Sequence, residues 1–138
     1  MSEREILFRG KRADNGEWIE GYFLPGNERQ SLRPCIFVYL PETQSFECFD
    51  IDIDTLGEYT SLTDKNGTRI FEKDIVKYKE TGLNAFGKME TRETKSIVKY
   101  NAPCFSPFET DLYEDYVMPE ETEVIGNIYD NPELLKGE

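Results

Sequence analysis

Two Asn-Gly dipeptides, Asn15-Gly16 and Asn66-Gly67, each stand between runs rich in β-branched and aromatic residues, and they commit the chain to antiparallel hairpins. Asn-Gly accepts the two positive φ angles of a type I′ turn, whose twist matches that of paired strands. Residues 5–24 therefore read as one hairpin, EILFRG and EWIEGYFL closed around the first dipeptide. A type I′ turn at the second sets Leu62 opposite Phe71 and Asp64 opposite Arg69, an apolar pair and an opposite-charge pair. The same stretch, TDKNGTRIFEKDIV over residues 63–76, imitates a calcium loop, but neither register works. Starting at Asp64 leaves Arg69 where glycine is needed and Ile75 where the closing glutamate belongs. Starting at Leu62 puts an apolar residue first and Lys73 last.

Further strands follow from composition and turn punctuation: CIFVYL (35–40), FECFDIDI (46–53), DIVKYK (74–79), SIVKYN (96–101) and TEVIGNIY (122–129). PGNERQSLRP and TGLNAFGKMETRET (81–94) read as exposed connections. In DIDID, period two sets Asp50, Asp52 and Asp54 on one face and Ile51 with Ile53 on the other. Thr55 and Ser61 stand where a calcium loop would need glycine and glutamate, so a half-buried strand is the better reading there. In NPELL, Asn131 is a cap and Pro132 a first helical residue, which gives a short C-terminal helical turn. With no sustained helical periodicity, the fold class is mostly β. Parity slips between Ile70 and Tyr78, which places a bulge or sharp bend near residues 72–74. The expected core is Ile6, Phe8, Trp18, Ile36, Val38, Phe71, Ile75, Val76, Ile97, Val98, Ile125 and Ile128. For Trp18 and the tyrosines, an exposed binding face is the alternative.

The chain contains no histidine, which removes Ser-His-Asp and Cys-His catalysis, HExxH zinc sites and the usual general base near neutral pH. Neither a GxxxxGK[ST] loop nor a GxGxxG after a strand is present. No enzyme activity, metal or cofactor is therefore expected, and carboxylate chemistry is what survives as an exception. Cys35, Cys48 and Cys104 are odd in number and widely spaced, the pattern of reduced, buried thiols. No apolar run reaches membrane-span length and the start lacks a signal peptide's apolar stretch, so no membrane and a cytoplasmic location are expected.

Three stretches carry a family resemblance: REILFRGKRADNGEWIEGYF (4–23), GEYTSLTDKNGTRIFEKDIV (57–76) and EVIGNIYDNPELL (123–135). In content and order they resemble the YopX family of phage and prophage proteins. The resemblance implies an SH3-like barrel combined with an N-terminal β subdomain, with residues 1–57 as the N-terminal part and 58–138 as the barrel in one compact unit. It also implies a bacterial host and no established biochemical activity. Where the family usually reads YTGL and EGDIV, this chain has Ser61 and Lys73, which puts a positive φ at those two positions in question.

The net charge is −12, yet residues 65–99 hold nine basic and five acidic side chains, while residues 100–135 hold nine acids and no Lys or Arg. A field this negative disfavours general nucleic-acid binding. The leading expectation is a non-catalytic protein-interaction module; the alternative is a nucleic-acid accessory or acidic DNA-mimic protein. The partner is an unidentified host or phage protein, with a homo-oligomer as the other option. In CFSPFETDLYEDYVMP, Phe105, Phe108, Tyr113 and Tyr116 stand among acids that include Glu114 and Asp115, which makes these six the expected interaction residues. For Phe105 and Phe108, plugging one end of the barrel is the competing role.

Overall fold

A computed structural model of the chain describes residues 5–101, 104–108 and 117–135, which fall into two compact units, Met1–Ser61 and Leu62–Glu138. The fold is mostly β. None of its described helical turns is long and apolar enough to cross a membrane.

In the first unit, β1 (Phe8–Arg12) and β2 (Trp18–Leu24) form the expected hairpin, but its turn is not type I′: only Gly16, not Asn15, takes a positive φ, 74°, and the Gly16 N–H donates to the Arg12 carbonyl. β2 pairs with β3 (Cys35–Leu40), β3 with β4 (Ser45–Thr63), and β4 returns to pair with β1. The buried side holds Ile36, Ile51 and Tyr59. Gly21 is required there, because a Cβ would lie 2.1 Å from the Phe37 carbonyl oxygen.

The DIDID alternation fails after Ile51, which is 6% exposed, while Ile53 is 48% exposed. The β1–β4 register jumps from Arg9↔Gly57 to Lys11↔Asp52, so β4 carries extra residues through this stretch. Buried Thr55 makes the irregularity tolerable: its hydroxyl accepts from the Lys11 N–H at 2.8 Å and donates to the Asp52 carbonyl at 2.6 Å. The cysteine expectation also needs correcting. Cys48 lies across from Phe37, two residues from Cys35, and Cys35 and Cys48 form a disulfide with Cα atoms 6.1 Å apart. The cysteine pattern therefore no longer argues for a reducing compartment.

In the second unit, β5 (Arg69–Phe71) pairs with the end of β4. A three-stranded sheet runs β10 (Glu123–Asn127), β6 (Asp74–Leu83), β7 (Met89–Ile97), and β8 (Lys99–Asn101) pairs with β9 (Cys104–Ser106). Short 3-10 turns occupy Pro119–Glu121 and Pro132–Leu135, the latter where a helical turn is expected. The Asn131 carbonyl accepts from the Leu134 N–H, and its Oδ1 accepts from the Asn127 N–H.

The turn at residues 64–68 is not type I′, since only Gly67 takes a positive φ, 79°. The Gly67 N–H donates to the Asp64 carbonyl and the Asp64 N–H to the Thr68 carbonyl, a type I turn closed by a glycine bulge. Asp64 thus faces Thr68 rather than Arg69. Two residues along, Leu62 comes to Ile70 instead of Phe71, and both pack in one cluster with Val76, Tyr78, Val98 and Phe108.

Asp64 is 5% exposed. Its Oδ1 accepts from the N–H groups of Asn66 and Thr68 at 2.8 and 2.9 Å, and its Oδ2 from the Val124 N–H at 2.9 Å, which ties the turn to β10. Burial pushes this carboxyl's pKa up, but the hydrogen bonds from Val124, Thr68 and Asn66, with nearby Lys65, outweigh it and hold the group below the usual aspartate range.

The expected bend is present between β5 and β6. Asp74, 1% exposed, accepts from the Phe71 N–H through Oδ2 and from the Val98 N–H through its carbonyl. The Lys73 N–H donates to the Val98 carbonyl and the Lys73 carbonyl accepts from the Ile128 N–H, so the bend is clamped from both sides. Of the expected core, Ile36, Phe71, Ile75, Val76 and Val98 are buried; Phe8, Trp18, Val38, Ile97, Ile125 and Ile128 are half-buried. Ile6 is 57% exposed, and Ile51, Tyr59, Ile70 and Tyr78, outside the expected core, are buried.

Both questioned positions keep a left-handed backbone without glycine: φ is 70° at Ser61 and 73° at Lys73. A side chain there costs about 1 kcal/mol against glycine. Lys73→Gly is therefore expected to raise the urea unfolding midpoint by the equivalent of roughly 0.5 kcal/mol after the loss to chain entropy, whereas Lys73→Ala, which keeps a Cβ, leaves it near the wild-type value. A glycine variant no more stable than the alanine variant contradicts the strain.

Candidate interaction surface

Of the six expected interaction residues, Tyr113, Glu114, Asp115 and Tyr116 lie outside the described residues. Phe108 is 8% exposed within the second unit's core, and Phe105 packs against that core with its ring centroid 5.2 Å from that of Tyr100. Burial at that level makes Phe108 part of what holds this unit together.

The exposed feature of this unit is one that composition hides. The stretch 81–94 is not a bare connection; β6 and β7 pair without interruption from Ile75↔Ile97 to Leu83↔Met89. From Lys79 to Glu93 nearly every residue is exposed, so this part of the hairpin is an arm with solvent on both faces. Its five outer pairs span roughly 15 Å at the rise of a strand. At the tip, Leu83, Phe86 and Met89 are 72%, 87% and 68% exposed.

The tip is held rigidly by the same device as the Asp64 turn. The Asn84 N–H donates to the Lys88 carbonyl and the Gly87 N–H to the Asn84 carbonyl, with Gly87 at φ 75°. Asn84 Oδ1 accepts from the Phe86 and Lys88 N–H groups at 2.9 and 3.1 Å. The sequence signal is an Asx residue followed three positions later by glycine, Asp64…Gly67 and Asn84…Gly87, rather than adjacent Asn-Gly. Along the arm, from Tyr78 at its base to Leu83, Asn84 and Ala85 near its tip, runs a cleft of about 680 Å³ that Val117 and Glu121 also line.

Two of the nine basic residues of the strip meet acids where the sheet forms. Lys77 Nζ lies 3.6 Å from Glu123 and 4.0 Å from Glu93, and Lys65 Nζ lies 3.4 Å from Glu123. β10 thus brings an acid from the acidic segment onto the strip, an arrangement that linear charge counting cannot see. Among the described residues no group of three His, Cys, Asp or Glu side chains is placed to hold a metal ion.

Comparison with known proteins gives a consistent result. Residues 7–136 match the family model described as YopX protein. The crystal structure of protein EF1440 from Enterococcus faecalis is similar in fold, with a TM-score of 0.56 and 24% sequence identity over 97% of this chain and 100% of that one. No curated protein matches the chain.

With Lys65 and Lys77 engaged by carboxylates, random duplex DNA should show no binding in an anisotropy titration at physiological salt. Micromolar, salt-sensitive binding that disappears when Lys77, Lys79, Lys88 and Lys95 are neutralised is the contrary result.

Proposed function

We propose that this chain, which belongs to the YopX family over residues 7–136, is a phage- or prophage-encoded protein-interaction module without catalytic activity. The observation that carries the proposal is the β6–β7 arm, a preordered hairpin that exposes Leu83, Phe86 and Met89 at its end. Three large apolar side chains held in solvent by a hydrogen-bonded turn gain nothing for the unit's own stability, and they are suited to enter a partner's apolar cleft. Because the turn fixes the tip in advance, little ordering entropy opposes docking.

The partner in this reading is a host or phage protein, and self-association is the alternative. The cleft along the arm, lined also by Val117 and Glu121, adds a concave surface beside the tip. The sheet of β10, β6 and β7 with the adjoining β8–β9 pair is the part in which we read the SH3-like barrel. The lack of histidine supports a non-catalytic role, and the ion pairs along the basic strip weigh against the nucleic-acid alternative.

Phe86→Ser combined with Met89→Ser is expected to leave the unfolding midpoint within about 0.5 kcal/mol of wild type, since both side chains are already in water. The same pair should weaken partner capture from infected or lysogenic cells by about 2 kcal/mol or more. Quantitative co-purification checks this. A folded double variant that captures the same proteins equally well removes the arm from the interface.

A further inference from the structure

The first unit carries a second exposed apolar surface, on the outer face of its sheet. Directly opposed residues of an antiparallel ladder share a face. The pairs Tyr22↔Phe37, Leu24↔Cys35, Phe37↔Cys48 and Tyr39↔Phe46 therefore all lie on one side, and Trp18 joins them by period two along β2. Ile36 and Ile51 occupy the opposite, buried side. Tyr22, Leu24, Tyr39 and Phe46 are 58%, 45%, 49% and 58% exposed. The Tyr39 and Phe46 rings stand 5.2 Å apart, and the Cys35–Cys48 disulfide crosses the middle of the face.

Charge decides what this face accepts. The first unit has twelve Asp and Glu against six Lys and Arg over residues 1–61. Four of those six cations meet neighbours in the same unit. Arg9 and Lys11 lie over the Trp18 ring at 4.7 and 5.3 Å, Arg12 lies over Phe49 and pairs with Asp14 through two hydrogen bonds, and Arg33 lies 3.8 Å from Asp50. Exposed carboxylates border the aromatics: Glu20 between Trp18 and Tyr22 along β2, and Glu42 in the turn between Tyr39 and Phe46. A phosphate backbone meets a repulsive field at such a surface, whereas Arg or Lys side chains find ring faces to stack on and carboxylates to approach.

We infer that the Tyr22, Tyr39 and Phe46 face binds a protein segment in which basic residues alternate with apolar ones. The surface is built from first-unit residues alone, and its occupant is defined by chemistry: cations over the rings, apolar side chains against Leu24.

Fluorescence anisotropy with the full chain tests this, using a labelled peptide of alternating arginine and leucine. Saturable binding is expected, weakened about tenfold or more by Tyr39→Ser with Phe46→Ser, which changes no charge. Phe86→Ser should leave this binding unchanged, so failure here is distinguishable from failure of the arm. A labelled peptide of alternating glutamate and leucine and a labelled oligodeoxythymidine should both bind more weakly than the basic peptide. If the double variant melts at a lower temperature, Tyr22→Ser replaces it with the same expected loss. Unaltered affinity in a folded aromatic variant means attraction by net charge alone and overturns the inference, as does tighter binding of the glutamate peptide or of the oligonucleotide.

Discussion

A single buried carboxylate organises the second unit. Asp64 receives three backbone N–H groups, two from its own turn and one from Val124, a residue sixty positions away in sequence. Backbone groups left unpaired in such a place cost about 1–3 kcal/mol each, so removing the acceptor exposes more than one bond. The neighbouring Lys65 N–H donates to the Thr122 carbonyl, which repeats the link between the turn and the approach to β10. Placing β10 beside β6 in turn brings Val124 to the cluster of Ile70, Val76, Tyr78, Val98 and Phe108, and Glu123 to Lys65 and Lys77. Asp74 does comparable work at the bend, so both ends of β5 are fixed by buried aspartates that accept from the main chain.

The two Asx-glycine turns have opposite consequences because of what surrounds them. At residues 64–68 the turn is locked into the unit by Val124. At 84–88 the same hydrogen bonds close a hairpin whose outer strands are exposed, and the turn's rigidity serves the three apolar side chains at its tip. Left-handed backbone at Ser61 and Lys73 adds strain that the surrounding bonds hold in place, with the Lys73 amide and carbonyl both engaged.

Much of the strand order is legible in the sequence because period two and turn residues are local signals. The hairpin of β1 and β2, the strand at 35–40, the bend near 72–74 and the turn at 132–135 all follow from them. Register is less legible, since one bulged glycine at Gly67 moves Leu62 from Phe71 to Ile70, and the irregularity at Thr55 ends the alternation of DIDID. The Cys35–Cys48 bridge depends on that register and on separation across a hairpin, neither of which a cysteine count contains. The arm is hidden because Thr, Glu and Lys on both faces of an exposed ladder produce no hydrophobic alternation to read. An acid such as Asp64 looks like turn chemistry in one dimension; only the return of β10 shows it to be a tertiary link.

The most direct measurement of that link is an amide NMR titration of Asn66, Thr68 and Val124 from neutral to acid pH. A carboxyl whose folded-state pKa is depressed contributes stability that is fully present above its unfolded pKa and is lost as pH falls through the folded pKa. The three amide resonances should therefore move together, with one midpoint below the ordinary aspartate range, and loss of the β10–β6 contacts should accompany them. Separate midpoints, or a common one at or above the ordinary aspartate range, would contradict a shared carboxylate holding the turn to β10.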